Sequence, residues 1–471
     1  MMIEDNSPAA EANFQAAFEA GAWDTSESPL LRTLRRLIWL YFWLLIFEGA
    51  MRKWLVPSLS APLLVVRDPV VLLIYLQALR CRRFPMNGSI LVGGILVAAF
   101  ILMALAQILA GVGGGPIVAV YGLRTDFLHL PLIFVIPRVF SYFDVIKLGK
   151  WVLLLSIPMT ILMVMQYQAP AGSWLNAATK ADAQQLSYVL GKVRPAGTFS
   201  FITGAAHFFG IATAFLLFGL SQSKVFPRWL LAASLLSVAV VQPVSGSRTL
   251  VLGCGLVFVA AVLFGLFHPN RSMRTLMIAA LLTVSIGALS FTSFFREAID
   301  TFMLRWDSAS GSTGGVQHGI IGRFFSEFVE PFEYLPQAGL IGKGLGMGTN
   351  AASALLTGAL VFLLVEGEWG RVVLEVGPFL GFAYLGYRVW LGASIALKAV
   401  QGAKQGQLLP WLLAIVACRS VIMEQLSQPT NLGFTVLVCG LCLAAFSKSW
   451  APVETGVPCQ VISTWEPALQ R

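Results

Sequence analysis

The chain has 471 residues, of which 57% are hydrophobic and 12% charged, with a mean hydropathy of +0.77. Soluble globular domains carry about 25% charged residues, so this composition excludes that class and defines an integral membrane protein. The formal charge of +9 does not indicate a nucleic-acid partner, because the cations fall in clusters between apolar runs rather than along one polar face.

The apolar runs approach the roughly 20 residues that cross a hydrocarbon core of about 30 Å, and they lack the alternation of a membrane barrel. The expected fold is therefore all-α, a polytopic transmembrane helical bundle of about 12 spans with one large external loop between spans nine and ten.

Residues 1–36 read as an acidic cytoplasmic tail. Glu4, Asp5, Glu11, Glu19, Asp24 and Glu27 precede any basic residue, unlike a cleaved signal peptide. Arg32, Arg35 and Arg36 then place the amino terminus in the cytoplasm by the bias of cations toward that side. Residues 37–295 hold spans one to nine: Leu37–Val56, Ala61–Leu79, Ile90–Ala110, Ile117–Pro137, Trp151–Gln168, Phe199–Leu220, Trp229–Val244, Leu250–Phe267 and Leu276–Phe295.

Residues 296–370 form the large external loop, a polar excursion that suggests chemistry at that surface. Within it, Ala351–Val365 is apolar but short of a full span, so it is either a re-entrant or interfacial helix or a tilted span. Residues 371–447 carry span ten from Arg371 to about Leu391, span eleven Leu408–Met423 and span twelve Leu432–Phe446. Residues 448–471 form a second cytoplasmic tail. No internal repeat is visible, which disfavours the repeated halves of many transporters.

The external side also holds cations that orientation does not explain. Guanidinium forks bind phosphate oxygens in bidentate geometry, so Arg194, Arg248, Arg323 and Arg371 are candidate pyrophosphate ligands, with anionic headgroups or local ion pairs as the alternative. Arg194 and Arg248 lie in short turns, Val193-Arg-Pro-Ala-Gly-Thr-Phe199 and Ser245-Gly-Ser-Arg-Thr249, at the expected outer mouth.

A helix from Trp369 would set Arg371 and Glu375 on one face, either as a structural pair or as part of a site. Glu48 with Arg52, Arg67 beside Asp68, Arg124 with Asp126 and His129, and Arg419 before Glu424 repeat the pattern. Together they suggest an outward-opening polar cavity, and individually they read as satisfied ion pairs.

His318 is a candidate general base in a glycine- and serine-rich stretch. Gly342-Lys-Gly-Leu-Gly-Met-Gly348 lacks the ending of a nucleotide phosphate loop. No HExxH and no spaced Cys and His set marks a metal, and Cys439 and Cys442 read as packing residues.

These residues resemble the superfamily of bacterial O-antigen ligases and O-antigen (Wzy-type) polymerases over most of the chain. The matching elements are Glu48-Gly-Ala-Met-Arg-Lys-Trp54, Arg194-Pro-Ala-Gly-Thr-Phe199, Ser245-Gly-Ser-Arg248, Gly322-Arg-Phe324, Gly344-Leu-Gly-Met-Gly348 and Glu375-Val-Gly377. The resemblance implies a multi-pass protein of the bacterial inner membrane that transfers a glycan from undecaprenyl pyrophosphate to an acceptor glycan. Arg194, Arg248, Arg323 and Arg371 would hold the pyrophosphate. Ligases of the superfamily place a His shortly before the Glu-x-Gly element, and Glu366 stands at about that position here, which favours a polymerase.

The donor sugar is already activated, so no nucleotide or other cofactor is expected. The requirements are stabilisation of the leaving group and deprotonation of an acceptor hydroxyl, for which Glu366, Glu368, Glu375 and His318 are the candidates. Membrane lipid and a chain-length regulator are the further expected partners. A ligase or protein O-oligosaccharyltransferase with the same donor is the sibling reading. A lipid-linked oligosaccharide flippase or other transporter is the alternative from another class.

Overall fold

The computed structural model describes residues 28–177, 188–189, 192–222, 225–268, 296–303, 323–358, 363–365 and 367–446. The expected span Leu276–Phe295, His318, Glu366 and most of both tails lie outside these residues.

Helix α1 (Pro29–Ala50) opens where Ser28 accepts the Leu31 amide and Pro29 pre-sets the first turn. It takes in Arg32, Arg35 and Arg36, so the helix begins before the expected boundary, and a π turn over Met51–Leu55 follows it. Helix α2 is Arg67–Arg80, with Ser60–Leu63 as a separate turn, so the expected second span is broken near its start.

Next come α3 (Gly88–Leu109), α4 (Pro116–Leu123) with its π continuation Arg124–Leu128, α5 (Leu132–Val139) and α6 (Tyr142–Gln168), which starts in a Ser141/Asp144 capping box. A two-residue antiparallel pair, β1 (Tyr188–Val189) with β2 (Lys192–Val193), precedes α7 (Ile202–Ser221), α8 (Arg228–Val244) and α9 (Arg248–Phe267). The later helices are α10 (Arg323–Glu333), α11 (Asn350–Thr357), α12 (Glu368–Val376), α13 (Pro378–Lys404), α14 (Leu408–Met423) and α15 (Pro429–Ala444).

Among the described residues six helical segments are long and apolar enough to cross a membrane, and α8, α14 and α15 are shorter apolar helices. Helix α7 lies at the centre, packed by α6, α8, α9, α14 and α15, whereas α3 turns most of its surface outward. A helix that is apolar all round suits such a centre.

One expectation changes here, and one segment left open takes a definite local form. The tenth span is not one helix from Arg371. It breaks at Gly377, which adopts φ 78° and lets the Leu340 carbonyl approach to 2.2 Å of where a Cβ would stand. The apolar stretch at 351–365 contains an eight-residue helix that stops at left-handed Gly358, about 12 Å of helix and too short to cross a bilayer.

Several helix ends meet at one end of the bundle. There the end of α1 meets the start of α2 and α15, and the end of α3 meets the end of α12. At the opposite end Arg35 pairs with Asp144 and His268 meets the Ala403 carbonyl.

Candidate functional site

The first of these ends holds the charged residues that an apolar sequence must justify. Helix α12 is amphipathic, and its first turn carries Glu368 beneath Arg371 and Glu375, at the i+3 and i+4 spacings that share a face. Every nitrogen of Arg371 donates to a carboxylate. Nε meets Glu368 at 2.8 Å, Nη1 meets Glu375 at 2.8 Å, and Nη2 meets both Glu368 at 3.1 Å and Asp126 at 3.0 Å.

Arg388 of α13 donates to Glu368 at 2.5 Å, while its other nitrogens take the Val421 and Glu424 carbonyls. All five side chains are buried, with Glu368 and Arg388 at 0% exposure. Three carboxylates face two guanidinium groups in a medium where unpaired charge costs several kcal/mol.

The expected anion grip at Arg371 is not formed in this arrangement. Its fork is filled by protein carboxylates, and a phosphate approaching it would meet three like charges. Glu368 likewise has both oxygens on guanidinium nitrogens and accepts the Leu426 amide as well, which holds it as a carboxylate rather than as a free base. Glu375 accepts from Arg371 and from the Gly348 amide at 2.7 Å. The two glutamates therefore anchor backbone.

A second cluster adjoins the first. Arg67 pairs with Glu48 at 2.9 Å and donates to the Pro429 carbonyl, tying α1, α2 and α15 together. Asp68 takes Arg124 and His129, and the other ring nitrogen of His129 meets the Tyr41 hydroxyl. The expected neighbours Glu48 with Arg52, and Arg124 with Asp126, are thus exchanged for partners on other helices. Arg124 and Asp126, two apart, point to opposite sides, and between Glu48 and Arg52 the α-helix gives way to the π turn at Met51, so each charge takes the partner it faces. Arg419 does pair with Glu424, at 2.6 Å, and His207 stands 3.4 Å from the same carboxylate.

The short elements quoted above pack against one another in pairs. Lys53 donates to the Gly197 and Phe199 carbonyls at 2.7 Å each, Arg52 donates to Ser200, and the Thr198 hydroxyl reaches the Ile46 carbonyl. Gly49 permits this closeness, since a Cβ there would stand 2.5 Å from the Thr198 carbonyl. Across the site the glycine turn 342–348 seats on α12: the Lys343 amide donates to Leu374, and Gln107 clamps both partners through the Leu345 amide and the Glu375 carbonyl.

Arg194 follows β2 directly, where Lys192 lies over the Tyr167 ring and pairs with Glu297. Tyr167 in turn packs with Val244, at the end of the helix that leads into the Arg248 turn. Arg248 opens α9 behind the Ser247 cap, and Arg323 opens α10. His318 and Glu366 are outside the described residues.

Sequence reasoning misses Arg388, Gln107 and Glu327. Arg388 carries a legible signal, a lone cation well inside an apolar span. Glu327 does not, because its role arises only when α10 docks on α12 through the Phe328 to Trp369 ring contact at 4.6 Å. Burial, then the charges of Glu330 and Glu368, push the Glu327 carboxyl up to about 7, against the pull of the Trp369 and Glu368 amides.

No family model matches this chain. Nor does any curated protein.

Proposed function

We propose that the chain is a membrane glycosyltransferase that polymerises oligosaccharide repeat units carried on undecaprenyl pyrophosphate, at the non-cytoplasmic face of the bacterial inner membrane. The observation that carries this reading is the pairing of the resemblance elements at one end of the bundle. Glu48–Trp54 grips Arg194–Phe199, and Gly344–Gly348 grips Glu375–Gly377. Elements that are short and scattered in sequence are thus brought together in pairs at that end.

In this reading Arg194, just after β2, and Arg248, at the start of α9, stabilise the departing pyrophosphate, and Arg323 supplies a third cation. Arg371 acts through Glu368 and Glu375 as a positioning residue that fixes the glycine turn. A carboxyl that titrates near neutral pH is suited to remove the acceptor proton, and Glu327, near Glu330 and Glu368, has that character. The glutamate at position 366, where ligases of the superfamily carry a His, favours chain growth over ligation.

The test is purified protein supplied with lipid-linked repeat units. A ladder of longer chains from the wild type, lost in Arg248→Ala at an unchanged unfolding midpoint, is the expected result. A wild type that moves glycan only onto a lipid A core or a protein would replace polymerisation by ligation. Equal ladders from wild type and Arg248→Ala would remove the site.

A further inference from the structure

The Arg371 cluster is one positive charge short. Its carboxylates are Asp126, Glu368 and Glu375 and its cations are Arg371 and Arg388, all between 0% and 2% exposed. The adjoining cluster has no cation to spare, because Arg67 goes to Glu48 and Arg124 to Asp68.

The deficit falls on one atom. Both oxygens of Glu368 accept hydrogen bonds, from Arg371, Arg388 and the Leu426 amide, and both of Glu375 do, from Arg371 and the Gly348 amide. Asp126 accepts from Arg371 through Oδ1 alone. Its Oδ2 accepts none, although the residue is 1% exposed.

The charges that face Asp126 are those of Arg371, Glu375 and Glu368 on α12. From α13, Tyr384 reaches only the Asp126 backbone carbonyl and Arg388 is taken by Glu368. Arg124 and His129, on the same segment as Asp126, turn to Asp68. Gln107 of α3 bonds backbone groups, and Lys343 of the glycine turn is exposed.

A buried carboxylate oxygen without a donor is costly, and so is a buried charge without its counter-charge. One monovalent cation on Oδ2 removes both costs, whereas a divalent one would reverse the imbalance. The place of Asp126 gives such binding a consequence. It stands on the π turn Arg124–Leu128, an irregularity that α-helices carry mostly at functional sites, and Arg371 and Glu375 link it to the glycine turn 342–348.

We propose that this cluster binds one monovalent cation, a sodium ion or a proton, at Asp126 Oδ2, and that occupancy tightens the junction of the π turn, α12 and the glycine turn. The site does not depend on the glycan-transfer reading.

The experiment is the unfolding midpoint of the full-length protein in detergent, measured in Glu327→Gln so that Glu327 adds no pH dependence. One arm replaces choline by sodium at constant ionic strength and fixed pH, and the other lowers the pH in choline. A sodium site raises the midpoint with the logarithm of sodium concentration above its dissociation constant. A proton site leaves that arm flat and raises the midpoint in the second. Adding Asp126→Asn, whose neutral amide leaves two carboxylates to two guanidinium groups, should abolish the response and start no lower than the cation-free parent.

Two measurements need no change at Asp126. Radioactive sodium should bind at about one ion per chain, or infrared spectra should show the carbonyl stretch of a protonated buried carboxyl. A midpoint flat in both arms, an equal response with Asp126→Asn, or neither bound sodium nor a protonated carboxyl in the Glu327→Gln parent would overturn the site.

Discussion

Asp126 and Arg371 stand 245 positions apart in sequence and form a buried ion pair at 3.0 Å. One lies on the π turn that interrupts the α4 to α5 segment, the other on a nine-residue helix that spans nothing. Their contact locks the chain's amino-terminal half to its carboxy-terminal helices and sets the floor of the proposed site.

Removing one member of such a network strands the rest. Arg371→Met leaves Asp126, Glu368 and Glu375 without their shared cation, and the expected loss is about 3–5 kcal/mol of stability. Arg371→Lys should recover little, because one ammonium cannot replace a fork that bonds three carboxylates. Unfolding of detergent-solubilised protein measures both. Combining Arg371→Met with Asp126→Asn should cost less than the sum of the single changes.

The glycine turn gives a second test. Gly346 adopts φ 84°, and a Cβ there would stand 2.1 Å from the Val118 carbonyl, so Gly346→Ala should destabilise by more than about 1 kcal/mol. Gly253→Ala serves as the contrast. It lies in a helix with open space around it and should be neutral or stabilising by about 0.5–1 kcal/mol. Equal effects from the two would contradict the packing described.

Lys53 holds the turn after Arg194 by two carbonyl oxygens. In Lys53→Met both lose that donor, at about 1–3 kcal/mol for each buried group left without a partner, though Gln166 still serves Gly197. Hydrogen exchange should rise at 194–200 before it rises in α7. Uniform exchange throughout would show instead that Lys53 supports the whole bundle.

Glu327 sets a pH dependence of known sign. Its carboxyl is raised from 4.5 to about 7, so the folded form holds a proton that the unfolded form releases. The stabilisation is complete below pH 4.5 and is lost as pH rises through 7. Docking of α10 on α12 should weaken across that window, seen as lower protection of the 327–333 amides, relative to their intrinsic exchange rates, at pH 8 than at pH 5. Glu327→Gln should abolish the difference.

Much of this was readable from the chain. The apolar runs locate most of the helices, the charges within them mark the site end, the Arg371 to Glu375 pair follows from helical spacing, and Arg419 and Glu424 pair as close neighbours in sequence across the end of α14. Partners on other helices do not follow. Arg124 and Asp126 are two apart and look like a pair, yet they turn away from one another, toward Asp68 and Arg371. The break at Gly377 was also hidden, because Val-Gly-Pro within an apolar run reads as helix until the Leu340 carbonyl fills the space beside it. Glu327 needed the docked helix.

The most direct measurement is release of polyprenyl pyrophosphate by the purified chain, followed together with glycosidic bond formation. The account predicts one lipid pyrophosphate released for each bond formed, with both rates falling at least about tenfold in Arg248→Ala at an unchanged unfolding midpoint. No release from the wild type, or release and bond formation unaltered in Arg248→Ala, would contradict it.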